Sequence, residues 1–130
     1  MATIFTKIIR GEIPCYKIAE DENYFAFLDI SPLEKGHTLV VPKKESDYIF
    51  GMPDDELCGL MIFSKKIALA IEKAVPCKRI GIAVIGLEVL HTHIHLIPLL
   101  EVATLNFARP KKKLEPTELQ EIADKIKENL

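Results

Sequence analysis

Two short connections near the start of the chain constrain its fold more than any other feature of the sequence. Segments 15–20, 24–30 and 37–41 are rich in β-branched and aromatic residues, which favour strands. Turn-forming residues at 21–23 separate the first two segments, and those at 34–36 precede the third. Strands joined through so few residues run antiparallel. The sequence therefore predicts an antiparallel sheet.

Helical periodicity predicts three helices besides these strands. Thr3 can cap a short first helix that Gly11 ends, and the longest helix begins at Pro53 and runs to Pro76. Thr117 can cap a last, amphipathic helix. The apolar stripe of the long helix is expected to face the core: Leu57, Leu60, Met61, Ile67, Ala68, Ile71 and Val75.

Segments 79–85 and 91–99 predict two further strands, which gives the element order α-β-β-β-α-β-β-α. This order favours an α+β fold, in which an antiparallel sheet of about five strands has its helices packed on one side. The 130 residues are enough for one buried core. The prediction is a single domain over residues 1–130.

Composition excludes some functions and leaves others open. The net charge of −2 gives no general attraction to nucleic acid, so any phosphate is bound in a local site. The N-terminus has no long apolar run and predicts neither a signal peptide nor a membrane span, hence a cytoplasmic protein. Cys15, Cys58 and Cys77 lack C-x-x-C spacing and are expected to be reduced and mostly buried. Residues 111–113, all lysine, form either a solvated loop or a phosphate-binding patch.

Three of the four histidines lie within five residues, in the run HTHIHLI at 91–97. In a strand, alternate side chains share one face. One face of such a strand would expose His91, His93 and His95, while Ile94 and Leu96 could pack inward. This two-residue alternation predicts that the histidines form a row of imidazoles on one face of a strand, and not a chance cluster in a loop.

A row of imidazoles has three interpretations. Histidine is the commonest metal ligand, but His91 and His95 would lie about 13 Å apart on a strand. One metal ion therefore cannot bind all three, and a site would need His37 or a carboxylate. A second possibility is a set of buried structural histidines. The favoured interpretation is nucleophilic and acid–base chemistry at phosphorus, because neutral imidazole attacks and leaves well near pH 7.

The run HTHIHLI resembles the motif of the histidine-triad nucleotide-binding family, His-φ-His-φ-His-φ-φ with φ apolar, except that Thr92 is polar. IFTKIIRGEIP at 4–14, AFLDISP at 26–32 and GHTLVVPKK at 36–44 are similar to family segments in the same order. The resemblance covers about residues 3–99 and leaves 110–130 as a C-terminal loop and helix. It implies the histidine-triad fold and a homodimer.

The resemblance also implies roles for matched positions. His93 resembles the nucleophile, His91 a residue that holds its ring, and His95 a donor to the phosphate or leaving group. His37 resembles a fourth histidine behind the triad, and Asp29 a carboxylate that accepts from ribose hydroxyls. Apolar positions resemble the slot around a purine: Phe5, Ile8, Phe27, Ile30 and Leu39. The residues alone leave open that these positions are plain core and that Asp29 only forms a turn.

Two departures from the family pattern are informative. Thr3 and Thr6 stand where many members have a cysteine pair that binds zinc, so zinc is not expected there. Leu87 and Glu88 stand where members usually have Gln and Ser or Thr. Glu88 is predicted to line the substrate site, but three roles stay open for it. It could point to solvent or across a dimer interface, bind an amine leaving group, or mark a catalytically weak member.

The resulting prediction is a hydrolase that cleaves purine nucleoside 5′-phosphoramidates, or related nucleotidyl substrates, at the α-phosphorus. A nucleotidyl-histidine would form on the way, and no cofactor or metal is required. A nucleotide-binding or sensing protein with weak or no catalysis is the alternative. A metal-binding module is a third possibility.

Overall fold

Eight helices and strands follow one another in the order that the sequence predicts. The protein is described here by a computed structural model that covers residues 2–130. Two 3-10 turns lie at Ile49–Gly51 and Val102–Leu105. The helices and strands are α1 (Ile4–Ile9), β1 (Lys17–Glu20), β2 (Tyr24–Leu28), β3 (Thr38–Pro42), α2 (Asp54–Ala74), β4 (Arg79–Ala83), β5 (Ile94–Leu99) and α3 (Pro116–Glu128).

The five strands form one antiparallel sheet in the order β1-β2-β3-β5-β4. The α+β prediction of a five-stranded sheet with one long, one short and one C-terminal helix is therefore confirmed. Strand β5 lies between β3 and β4, with His95 opposite Leu39 on one side and Ala83 on the other. This placement sets His95 inside the sheet, close to the loop that precedes β3.

The helices lie on both faces of the sheet, so the prediction of one helical layer is wrong. Helices α2 and α3 cover one face, where Ile94 and Leu96 join the larger apolar cluster. Helix α1 covers the other face and packs Phe5 and Ile8 against Phe25, Phe27, Leu39 and Val41. Periodicity identifies the apolar stripe of α1 but cannot tell which face of the sheet it meets.

Three local predictions need correction. Thr3 caps α1 as predicted, by accepting a hydrogen bond from the Thr6 N–H. Thr117 does not cap α3, because Pro116 occupies the first turn and Glu115 precedes it. Met61 is exposed on α2 rather than buried in its apolar stripe. The cysteines are free as expected, but Cys58 is exposed and Cys15 and Cys77 are half-buried, so none is fully buried.

Along residues 2–130, no helix combines the length and apolarity needed to cross a membrane.

Gly36 turns the chain into β3 immediately before His37, and a side chain should not fit there. Its φ is +94°, and an added Cβ would lie 2.9 Å from Val75 Cγ2 and 3.3 Å from Pro98 Cγ. We expect Gly36→Ala to lower the free energy of unfolding by about 3 kcal/mol, from left-handed strain and overpacking together. Gly11→Ala is the control, since φ is +80° but no atom lies within 4 Å of the added Cβ. Denaturant unfolding should show the smaller loss, about 1–2 kcal/mol, for the control. Equal losses would contradict the close packing around Gly36.

Candidate active site

The histidine run enters the sheet later than predicted, and its imidazoles are buried rather than exposed. Strand β5 begins at Ile94, so His91 and His93 precede it. The exposed fractions of His91, His93 and His95 are 0%, 8% and 8%. Pairing with β3 stops at Val40↔Ile94. Further along β3, Pro42 has no N–H to extend the ladder, and its carbonyl binds the imidazole of His91 instead.

His93 is held as the tautomer with a free Nε2 lone pair. Its Nδ1 lies 2.8 Å from the carbonyl oxygen of His91. Because a carbonyl only accepts, Nδ1 must carry the proton, which leaves Nε2 unprotonated in the neutral ring. Within residues 2–130, Nε2 has no hydrogen-bond partner, and it is not sealed from solvent. The ring of Phe5 packs edge-on against the His93 ring, with centroids 4.9 Å apart. His93 therefore presents an oriented nucleophilic nitrogen.

His91 is held by hydrogen bonds at both of its ring nitrogens. Its Nε2–H donates to the carbonyl oxygen of Pro42 at 2.8 Å, so its Nδ1 accepts from the Thr3 hydroxyl at 2.7 Å. The Thr6 hydroxyl donates to Glu45 at 2.6 Å, which ties α1 to the loop after β3. Burial lowers the pKa of His91. The backbone carbonyl of His91 accepts the hydrogen bond from the ring of His93.

The hydrogen bond between the buried rings of His37 and His95 determines the tautomer of His95. The Leu33 N–H donates to His37 Nδ1 at 3.0 Å, so the proton of neutral His37 is on Nε2. That Nε2–H lies 2.9 Å from His95 Nδ1 and donates to it. His95 must therefore carry its own proton on Nε2. Burial lowers the pKa of His37 to about 3 and that of His95 to about 4. A neighbouring histidine, His95 for the first and His93 for the second, and then Lys111 add smaller effects in the same direction. Both rings are neutral at pH 7, and His95 is a fixed N–H donor.

The same histidine pair lies beside Asp29 in a triangle that resembles a metal site. Ligand atoms of Asp29, His37 and His95 all lie within 4.8 Å of one another. A metal-bound histidine normally donates through its other ring nitrogen. His37 Nδ1 instead accepts from the Leu33 N–H, so metal at Nε2 would require an imidazole stripped of both protons. The hydrogen-bond pattern fits a neutral pair in which His37 Nε2–H donates to His95 Nδ1, and it does not fit a metal ion.

Asp29 has one oxygen engaged and one directed towards the histidines. Its Oδ1 accepts from the Ser31 N–H at 2.9 Å, which is the turn-forming role considered above. Its Oδ2 lies 3.7 Å from His37 Nε2. Burial raises the pKa of Asp29, and the Ser31 hydrogen bond opposes that change. The turn role and a role in substrate binding are compatible, because they use different oxygens.

A cavity of about 470 Å³ opens over these groups. This volume lies in the usual range for small-molecule sites. Five predicted residues line it together: Asp29, His37, Glu88, His93 and His95. Glu88 is exposed at the rim, and no cationic side chain pairs with it along residues 2–130. Its predicted contact with substrate therefore remains open to test.

The predicted purine slot is not part of this cavity wall. Phe5, Ile8, Phe27 and Leu39 are buried between α1 and the sheet, and Ile30 is largely exposed. Their role as purine contacts stays a prediction. Phe107 and Lys111 line the cavity instead. Sequence reasoning missed Phe107 altogether and left Lys111 between a solvated loop and a phosphate site. The only sequence signal for Phe107 was that it is a single aromatic residue in a polar segment.

Comparison with known proteins agrees with this geometry. A family model described as the HIT domain matches residues 10–102, well over half of the chain. The chain belongs to the HIT family. This HIT protein is 36% identical over 134 residues to the adenosine 5′-monophosphoramidase of Schizosaccharomyces pombe, covering 98% of this chain and 100% of that one.

Two further relatives match over most of their length. An uncharacterized HIT-like protein of Methanocaldococcus jannaschii is 47% identical over 105 residues, covering 73% of this chain and 77% of the other. The crystal structure of a HIT-like protein from Bartonella henselae superposes with a TM-score of 0.84 at 34% identity, covering 98% and 96% of the two chains. The sequence resemblance to the histidine-triad family is thus confirmed.

Proposed function

We propose that this HIT protein hydrolyses purine nucleoside 5′-phosphoramidates, or related nucleotidyl substrates, at the α-phosphorus. One observation carries the proposal. The cavity holds a histidine with an oriented free lone pair, His93 Nε2, beside a histidine with an oriented proton, His95 Nε2–H. Displacement at phosphorus needs a nucleophile and, beside it, a hydrogen-bond donor that stabilises the developing negative charge.

The reaction would proceed in two displacements. In the first, His93 Nε2 forms a bond to the α-phosphorus while the bond from phosphorus to the leaving group breaks. A leaving amine takes up a proton from solvent as it departs, and the water that attacks in the second displacement returns one. His95 Nε2–H donates a hydrogen bond to a phosphoryl oxygen or to the departing atom, which stabilises the developing charge. In the second, water attacks phosphorus, the bond to Nε2 breaks, and the nucleoside monophosphate leaves. Asp29 would accept from the ribose hydroxyls through Oδ2, since its Oδ1 already accepts from the Ser31 N–H.

An alternative candidate is a nucleotide-binding protein with weak or no catalysis. Glu88 favours this alternative, because it lines the same cavity and its carboxylate would repel a phosphate bound there. The same carboxylate also suits an amine leaving group, which favours the phosphoramidase.

The deciding experiment measures AMP release from adenosine 5′-phosphoramidate, together with AMP binding. Adenine-labelled substrate and an alkaline quench would trap label on the protein, since the phosphorus–imidazole bond is acid-labile. Turnover with trapped label supports the hydrolase. AMP binding without turnover supports the alternative, and the absence of both contradicts each function.

We also propose that two copies associate through β4 and α2. Strand β4 is an edge of the sheet, and Ile82, Val84 and Ile85 in and after it are exposed. Met61, Ile62 and Leu69 are exposed apolar residues on α2. An unpaired strand edge beside an exposed apolar helix face favours aggregation unless another chain covers it. In a two-fold symmetric dimer, β4 of one copy would pair antiparallel with β4 of the other.

We expect a dimer of about twice 14.7 kDa in sedimentation equilibrium, and dissociation of that dimer in Ile82→Glu. The matched control is Thr117→Glu, which changes the net charge by the same single unit at an exposed position of α3, outside β4 and α2. A monomer at all concentrations, or an Ile82→Glu variant that remains dimeric, contradicts this interface.

A further inference from the structure

The segment 101–113, named here the C-terminal strap, borders the cavity through two of its residues, Phe107 and Lys111. It lies almost wholly beyond the matched HIT region, which ends at residue 102. Thr104 and Glu101 form reciprocal caps at its first turn. The Arg109 guanidinium donates to the carbonyl oxygens of Leu33 and Thr104 at 3.3 and 2.6 Å. The Lys112 N–H donates to the carbonyl oxygen of Pro32 at 2.8 Å. The strap is therefore tied to the loop that carries His37.

Two side chains of the strap reach the cavity. The ring of Phe107 packs edge-on against His95 and His37, at centroid distances of 4.8 and 6.3 Å. The ammonium of Lys111 is held beside it, 2.7 Å from the Phe107 carbonyl oxygen and 5.8 Å from the Phe107 ring centroid. A second contact joins it to the carbonyl oxygen of Arg109 at 3.4 Å. Lys111 is thus positioned by neutral groups.

The ammonium of Lys111 has no ion-pair partner along residues 2–130, although its charge partly offsets the rise that burial causes in the pKa of Asp29. No carboxylate of residues 2–130 lies within ion-pair distance of its ammonium, whereas the neighbouring Lys112 pairs with Glu34 at 3.8 Å. The other formal charges on the cavity wall are the carboxylates of Asp29 and Glu88. His37 and His95 are neutral at pH 7, with pKa values of about 3 and about 4. A phosphate entering this cavity would meet two negative groups and one cation.

We propose that Lys111 binds the anionic phosphate oxygens of the nucleotide and gives the site its preference for charged over uncharged nucleosides. The proposal rests on the nucleotide site proposed above and extends it to a residue outside the HIT region. Phe107 is a positioning residue in this arrangement, because it fixes both His95 and the backbone carbonyl that holds Lys111. The uncompensated ammonium supplies the charge that the neutral histidines lack.

Equilibrium binding of AMP and of adenosine to the full chain separates two possible contributions of Lys111, its charge and its effect on the shape of the cavity. We expect Lys111→Gln to raise the Kd for AMP about tenfold, equivalent to about 1.4 kcal/mol, and to leave adenosine binding unchanged. Lys113→Gln is the matched control, because it removes the same charge two residues away at an exposed position. Lys111→Arg should keep most of the affinity for AMP. Added salt should weaken AMP binding less in Lys111→Gln than in the native protein.

Three results would overturn the proposal. An unchanged Kd for AMP in Lys111→Gln removes Lys111 from the phosphate site. An equal loss for AMP and adenosine shows that Lys111 only shapes the cavity wall. An equal effect of Lys113→Gln shows that general charge, not position, matters. In each case the native protein still binds AMP, so the proposed nucleotide site stands, and only the role of Lys111 in it is lost. Absence of AMP binding to the native protein overturns both proposals together.

Discussion

Replacing His93 by alanine should lower kcat for AMP release by at least about 10³-fold. Among the histidine nitrogens of residues 2–130, the variant loses the one with an oriented, free lone pair. His91 and His37 are occupied at both ring nitrogens, and His95 must carry its proton on Nε2. No label should be trapped on the variant protein. The affinity for AMP should change much less, since binding does not require the bond to phosphorus.

The control for this prediction is His93→Gln. A glutamine amide can still donate to the His91 carbonyl oxygen, as His93 Nδ1 does at 2.8 Å, but it cannot form the covalent intermediate. His93→Gln should therefore be as inactive as His93→Ala while keeping the hydrogen bond that alanine loses. Turnover that survives in His93→Gln would show that this ring positions the substrate and that another group, or water directly, attacks phosphorus.

Local sequence patterns predict most of the fold, because most of its elements depend on neighbours in the chain. The short turns determine the antiparallel order of β1, β2 and β3, and Thr3 caps α1 as expected. The placement of α1 could not be predicted, since both faces of a central strand are buried and either could receive Phe5 and Ile8. The start of β5 depends on Pro42, which lies in another strand and ends the ladder by lacking an N–H.

The chemistry of the site depends on contacts that no local pattern contains. The spacing of the triad predicts its importance, but not which nitrogen of each ring is protonated. Those protons follow from the Leu33 N–H and from the carbonyl of His91, and from a pair of rings 58 residues apart in sequence. The strap reaches the cavity because Arg109 binds the Leu33 carbonyl, a contact across 76 residues. Sequence reasoning therefore finds the histidines and misses Phe107.

Replacing His37 by leucine should lower kcat/KM about 100-fold, although His37 does not touch the cavity nucleophile. His37 Nε2–H forces the proton of His95 onto Nε2. Without that donor, His95 can adopt the opposite tautomer and lose the hydrogen bond it offers to substrate, an effect in the range of lost general acid–base assistance. The buried Leu33 N–H also loses its acceptor, which should lower the free energy of unfolding by about 1–3 kcal/mol.

His37→Gln separates these two effects. Its amide oxygen can accept from the Leu33 N–H while its amide nitrogen donates to His95 Nδ1, as the imidazole does at 3.0 and 2.9 Å. We expect kcat/KM within about tenfold of the native value, while His37→Leu stays low even at temperatures where it is fully folded. Nitrogen-15 NMR of the His95 ring reports the tautomer directly, with the proton on Nε2 in the native protein and in His37→Gln. If His37→Leu keeps that tautomer yet loses activity, the loss comes from packing around His95. In that case His37 is a structural support and does not control the proton on which the proposed reaction depends.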